Sequence, residues 1–182
     1  MRIALTAFLV LALSACAGRD TRDAALMPGA LPADGPVSVR WTDPAQFDEL
    51  RYSRGLNARS DGQWIEKLAR HLQVRAASRL EAGQTLDVTL TNIDRAGDYE
   101  PWRGPWYQDI RFMRDIYPPR MTLDFTLRDA SGRVMAQGER KLSDIGFTLR
   151  GSAIDSDPLR YEKRMIDDWL RREFRDAGIA AR

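Results

Sequence analysis

Between Met121 and Arg128 apolar and polar residues alternate without a break: Met121, Leu123, Phe125 and Leu127 against Thr122, Asp124, Thr126 and Arg128. A period of two places the first four on one face of a strand and the second four on the other. Asp129-Ala130-Ser131-Gly132 supplies turn chemistry, and Val134, Ala136 and Leu142 line a return strand. The segment therefore folds as a hairpin with one dry face. A hairpin of this kind must lay that face on other apolar surface, and the chain carries it on both sides.

Upstream, Val37, Val39 and Trp41 share one face of a strand that Asp43-Pro44 ends, and Ala45 to Arg59 reads as an irregular or briefly helical connection. Ser60 with Gln63 forms a capping-box pattern, opening a helix that runs to about Ala82. Trp64 or Ile65, Leu68, Ala69, Leu72, Ala76 and Leu80 recur at the three-to-four spacing of a buried stripe, with Gly83 as C-terminal cap. Leu86, Val88 and Leu90 alternate in a strand reaching about Asp94, which completes a βαβ unit with parallel strands.

Downstream, Asp157-Pro158 opens a second long helix that turns Leu159, Ile166, Trp169, Leu170 and Phe174 inward. Asp167 with Arg171 and Asp168 with Arg172 are four apart and predict ion pairs on its wet face. The expected fold is α/β (α+β): a single two-layer sandwich, a mixed sheet of about four strands with two long helices on one face.

The one cysteine of the 182 residues, Cys16, has no partner for a disulfide, so this fold rests on packing alone. Cys16 closes the run Leu13-Ser14-Ala15-Cys16 after Arg2 and the apolar stretch Ile3 to Leu13, which is too short to span a bilayer as a stable helix. That pattern resembles the bacterial lipobox, which implies lipid attachment at Cys16 and a chain anchored outside the cytoplasm. Ala17, rather than Asp, follows the cysteine, which resembles the sorting signal for the outer membrane. An ordinary secretory signal cut near Ala15, giving a secreted periplasmic protein, and an uncleaved anchor are the competing readings. On the lipoprotein reading residues 1–15 are the signal peptide, 16–36 the lipidated cysteine and tether, 37–176 the single domain and 177–182 a C-terminal tail. The tether from Ala17 to Pro36 spans twenty residues, roughly 25 Å end to end as flexible chain.

The leader removes one of 28 basic residues, leaving near balance with 26 acidic ones, and that balance argues against nucleic acid as a partner. His71 is the only histidine. Zinc sites built on several Cys and His ligands, and Ser-His or Cys-His nucleophile chemistry, are thus underfurnished. No cofactor or metal is expected, and the balance leans away from an enzyme. His71 itself reads as solvent-exposed on the polar side of the first long helix.

The stretch Asp94 to Arg120 fits no regular period, and a loop of this length in a compact domain is functional or ordered by its own packing. It gathers Tyr99, Trp102, Trp106, Tyr107 and Tyr117 with Asp98, Glu100, Asp109 and Asp115, and with Arg103, Arg111 and Arg114. The runs Glu100-Pro101-Trp102-Arg103-Gly104-Pro105, Arg114-Asp115-Ile116-Tyr117-Pro118-Pro119-Arg120, and Asp157-Pro158-Leu159-Arg160-Tyr161-Glu162-Lys163 with Asp168-Trp169-Leu170 resemble one bacterial family. It is catalogued as domain of unknown function 3016. The resemblance covers about Val37 to Phe174, implies an exported protein, and brings no activity or catalytic residue with it.

Two readings of the loop follow. In one it is a groove for a glycan or other small ligand, with Tyr99, Glu100, Trp102, Arg103, Trp106, Tyr107, Asp109 and Tyr117 as candidate binding residues, and Asp98 and Asp109 as an acid–base pair at most. In the other, Trp102, Trp106 and Ile116 fold back over the sheet and the charges pair with one another. The function expected first is a non-catalytic accessory or interaction module of the cell envelope, facing the periplasm, whose partners are the membrane through its lipid and another envelope protein or a cell-wall glycan.

Overall fold

The computed structural model describes residues 28–52, 62–150 and 156–178. The lipobox, Ser60 and the chain's last four residues lie outside them. Among the described residues there are seven strands: β1 (Gly29–Ala30), β2 (Val37–Trp41), β3 (Thr85–Asp94), β4 (Asp98–Tyr99), β5 (Arg111–Phe112), β6 (Arg120–Arg128) and β7 (Val134–Ser143). Three α-helices join them: α1 (Asp48–Tyr52), α2 (Gln63–Ala77) and α3 (Arg160–Asp176).

The main sheet has five strands in the order β1-β2-β3-β6-β7, and β4 and β5 pair separately. β2 runs parallel to β3, Val37 opposite Leu86 and Trp41 opposite Leu90, so the βαβ crossover through α2 is present. β6 and β7 form the expected antiparallel hairpin, Met121 opposite Leu142 and Leu127 opposite Ala136. The sheet is mixed, as expected, but has five strands rather than four. The fifth is β1, which pairs Gly29 with Trp41 inside the stretch read as tether and brings Leu31 into the core. Two residues of strand carry no periodicity, which is why β1 was invisible to alternation.

The alternating residues of β2, β3 and β6 and the stripes of both long helices fall in one buried cluster. Trp64 and Ile65 are both buried, as are Leu68, Ala69, Leu72 and Ala76, and from α3 Ile166, Trp169, Leu170 and Phe174. Trp169 meets Phe125 edge to face with centroids 5.6 Å apart. Burial of this aliphatic and aromatic surface favours the folded state.

Local signals were less reliable than the stripes. α2 stops at Ala77 and not near Ala82, and Gly83, at φ +83°, serves the turn into β3 rather than the helix end. α3 begins at Arg160, two residues later than the expected start at Pro158, but the Asp157 carboxylate accepts the Leu159 N–H at 2.9 Å, the capping bond expected of it. Its polar face also pairs differently. Asp167 takes Arg75 Nε at 2.9 Å and His71 Nε2 at 3.2 Å from α2, and Asp168 takes Arg150 and Arg171. His71 is therefore a half-buried contact between the two helices and not a solvated side chain. Burial lowers its pKa, more than the Asp167 charge raises it.

Candidate functional site

The loop that separates β3 from β6 is a folded excursion built at the end of the sheet. β4 and β5 pair antiparallel, Asp98 with Phe112 and Tyr99 with Arg111, and two single 3₁₀ turns, Pro101–Arg103 and Pro105–Tyr107, fill the interval. Proline at the first position of each turn presets φ there. Gly97 bends the chain out of β3, and its N–H donates to Tyr117 O at 2.9 Å, closing the base of the excursion.

Two buried carboxylates brace it. Glu49 of α1 accepts four hydrogen bonds: Arg111 Nη1 and Nη2 at 2.8 and 2.9 Å, Arg95 Nη2 at 2.8 Å and the Arg95 backbone N–H at 2.9 Å. Arg111 also donates to the carbonyls of Ala96, Arg95 and Gly97 at 2.7, 2.9 and 2.8 Å. The guanidinium thus holds backbone that no strand partner would satisfy. Burial pushes the Glu49 carboxyl upward, but hydrogen bonds and charge from Arg111 and Arg95 outweigh it and leave it below its ordinary value.

Glu100, with no solvent exposure, accepts from Arg114 Nη1 at 2.7 Å, from Tyr117 Oη at 3.1 Å and from Arg103 Nε. The Arg114 hydrogen bond, helped by Arg103 and Tyr117 and opposed by burial, holds its pKa at about 2. A third buried carboxylate, Glu162 of α3, accepts the Ala96 N–H at 2.7 Å and ties the start of the loop to the helix layer. Burial raises its pKa despite that bond. Beneath it Phe147 and Tyr161 meet edge to face at 4.9 Å and form a small second core with Ala96.

With the charges turned inward, the aromatic residues are turned out. Trp102 is 58 % exposed, Trp106 90 % and Ile116 66 %, and Tyr107 is exposed as well. The expectation that Trp102, Trp106 and Ile116 cover the sheet is overturned. The physical reason is that the outer sheet face needs no cover: Ser38, Arg40, Thr122, Asp124 and Thr126 line it and are solvent-compatible. The pairing of the loop's charges with one another, expected alongside it, does occur.

Below the loop, α1, the end of β3 and the return into β6 line an open cavity of about 280 Å³. Asp48, Asp94, Asp98, Arg120, Tyr52 and Tyr117 are among its walls. Asp48 and Asn92 exchange hydrogen bonds at 2.8 and 2.6 Å, beside a β-bulge between Leu90 and Asn92 that re-aims the end of the strand. Asp94 meets Arg120 at 3.4 Å, yet burial and the neighbouring Glu49 charge raise its pKa to about 6.

Of the eight candidate binding residues, Tyr117 alone lines this cavity. Tyr99 is buried under Arg111, whose guanidinium carbon lies 5.4 Å from its ring centroid, and Glu100, Arg103 and Tyr117 belong to one ion-pair group. Trp102, Trp106 and Tyr107 face solvent, and Asp109 is not among the cavity walls, so it does not join Asp98 there. The residues missed from sequence are Glu49, Asp94 and Glu162. Glu49 and Glu162 occupy buried positions in helices where an acid reads as surface, and that conflict was the available signal.

Among the described residues no group of three or more His, Cys, Asp or Glu could hold a metal ion, and no helix is long and apolar enough to cross a membrane. In the turn between β6 and β7, Asp129 spends its Oδ1 on the N–H groups of Ser131 and Arg133. Neither a curated protein nor a solved structure matches the chain. A family model described as a protein of unknown function, DUF3016, matches residues 35–172, and the chain belongs to that family.

Proposed function

We propose that this chain is a lipoprotein of the bacterial cell envelope, anchored through Cys16 and facing the periplasm from the outer membrane, whose domain is a non-catalytic interaction module. The contact surface is the excursion between β3 and β6. One observation carries the reading: Trp102 and Trp106 stand exposed on a frame that two buried carboxylates and four arginines hold in place. Trp106, 90 % exposed, buries little of its indole in the domain, and indoles and arginines dominate contact surfaces. The polar groups around them are engaged in bracing, which speaks for binding rather than chemistry.

The test has two arms. Palmitate labelling should appear on the wild-type chain and vanish in Cys16→Ser; labelling that persists sinks the lipoprotein assignment. A photo-reactive residue at Trp106 should give an adduct in cells, while one at Met135, exposed on β7, should not. Equal yields at the two positions would reject the loop as the contact surface.

A second reading rests on the cavity. Asp98, Tyr117, Tyr52 and Asp94 around about 280 Å³ suit a small hydroxylated or charged ligand such as one sugar unit of the cell wall. Titration with peptidoglycan fragments, followed by amide chemical shifts, would assign it if shifts cluster at Asp94–Asp98 and disappear in Tyr117→Phe.

A further inference from the structure

We propose that the surface the aromatic excursion contacts is the bilayer itself, so that the domain docks loop-first on the membrane that holds its lipid. This rests on the lipoprotein reading and names its partner.

Gly29 lies opposite Trp41, and Trp41 lies opposite Leu90. β1 is antiparallel to β2, and β2 is parallel to β3, so the chain enters the domain at the end of the sheet where β3 finishes. That is the end where the excursion is built. Two strand spacings, about 10 Å, separate β1 from β3. Thirteen residues separate Cys16 from Gly29, a reach of at most about 45 Å when fully extended. A lipid on Cys16 is therefore joined to the domain at this end of the sheet.

The distribution of exposed apolar side chains agrees. Of twelve large hydrophobic residues exposed among the described ones, nine belong to α1, the excursion or the turn after β7. That turn reaches the same end: Ser143 pairs with Arg120, the Asp144 N–H donates to Pro119 O at 3.3 Å, and Thr148 bonds Asp115. It exposes Ile145 and Leu149 beside the excursion's Trp102, Trp106 and Ile116. Trp with aliphatic neighbours is the composition favoured at a membrane–water interface. The stretch Asp94 to Arg120 carries five acidic and five basic residues. With no net charge to offer an anionic head group, the contact is made by apolar insertion and does not depend on salt.

The chain contains its own probe. Of its five tryptophans, Trp41, Trp64 and Trp169 are buried and Trp102 and Trp106 are exposed. The full lipidated chain is reconstituted into vesicles of phosphatidylethanolamine and phosphatidylglycerol, some of whose acyl chains carry bromine. The expected result is partial quenching of tryptophan emission, unchanged in high salt and lost in the double variant Trp102→Phe, Trp106→Phe. The unlipidated Cys16→Ser chain should partition into the same vesicles, and Trp102→Ser with Trp106→Ser should lower that partition about tenfold or more. A chain that carries its lipid but shows no quenching overturns the docking while leaving the anchor standing. Adducts in cells that run from Trp106 to a protein rather than to lipid overturn it as well. A chain without lipid at Cys16 removes both this inference and the reading beneath it.

Discussion

Arg111 reaches from β5 to Glu49 of α1 and closes a two-pronged ion pair, Nη1 at 2.8 Å and Nη2 at 2.9 Å, in a place where Glu49 is almost wholly buried. The same guanidinium covers three backbone carbonyls, so it acts as a substitute for strand pairing at the base of the excursion. Breaking such a pair leaves a buried charge without compensation. Glu49→Gln should cost about 3–5 kcal/mol in denaturant unfolding. Arg111→Lys keeps the charge but loses the fork, and should still cost about 2 kcal/mol. A loss below 0.5 kcal/mol in both would mean that the pair does not brace the loop.

That brace explains what sequence reading reached and what it missed. The stripes of α2 and α3 and the alternation of β3 and β6 were legible because each repeats over several turns or residue pairs, and burial follows from the repeat. The excursion has no repeat. Its shape depends on which residue each charge finds, and Glu49 and Arg111 are 62 positions apart. The same holds for His71 and Asp167, 96 positions apart, which local spacing assigned to separate wet faces. Aromatic content marked the loop as the place to look, but aromatics read alike whether they cover a core or await a partner.

The outward pose of Trp106 can be tested against an inward Trp in the same chain. Trp106→Ser should change stability by no more than about 0.5 kcal/mol, as for exposed positions generally. Trp169→Ala should cost about 3–5 kcal/mol, since Trp169 fills the core beside Phe125 and donates its indole N–H to Glu173 at 3.1 Å. Acrylamide should quench the emission lost in Trp106→Ser and spare that of Trp169. A large destabilisation from Trp106→Ser would mean that the indole packs inward in solution.

Asp94 predicts a pH dependence with a definite sign. Its folded pKa, about 6, stands above the ordinary 3.8, so it favours folding below the ordinary value and loses that contribution as pH rises through 6. Glu49 and Glu100 act oppositely: both are depressed, and their contribution is lost as pH falls below the ordinary 4.5, for Glu100 towards about 2. Asp94→Asn should raise stability by about 1–2 kcal/mol at pH 8 and by little at pH 4. Equal effects at the two pH values would show that Asp94 ionises normally.

Gly35 and Gly97 separate backbone strain from steric room. Both have φ of +79°, where a side chain is strained. A Cβ on Gly35 meets nothing within 4 Å, so Gly35→Ala should cost only the strain, about 1–2 kcal/mol. A Cβ on Gly97 would stand 2.7 Å from Phe112 O and 2.8 Å from Met113 Sδ, the first of which is backbone of β5 and cannot step aside alone. Gly97→Ala should therefore push β4 from β5 and release the Gly97–Tyr117 hydrogen bond, with a total loss of about 3 kcal/mol or more. Amide exchange reads the difference: faster exchange at Tyr99, Arg111 and Phe112 in Gly97→Ala, and unchanged exchange there in Gly35→Ala. Equal protection of the excursion in both variants would mean that β4 and β5 do not depend on the close approach at Gly97.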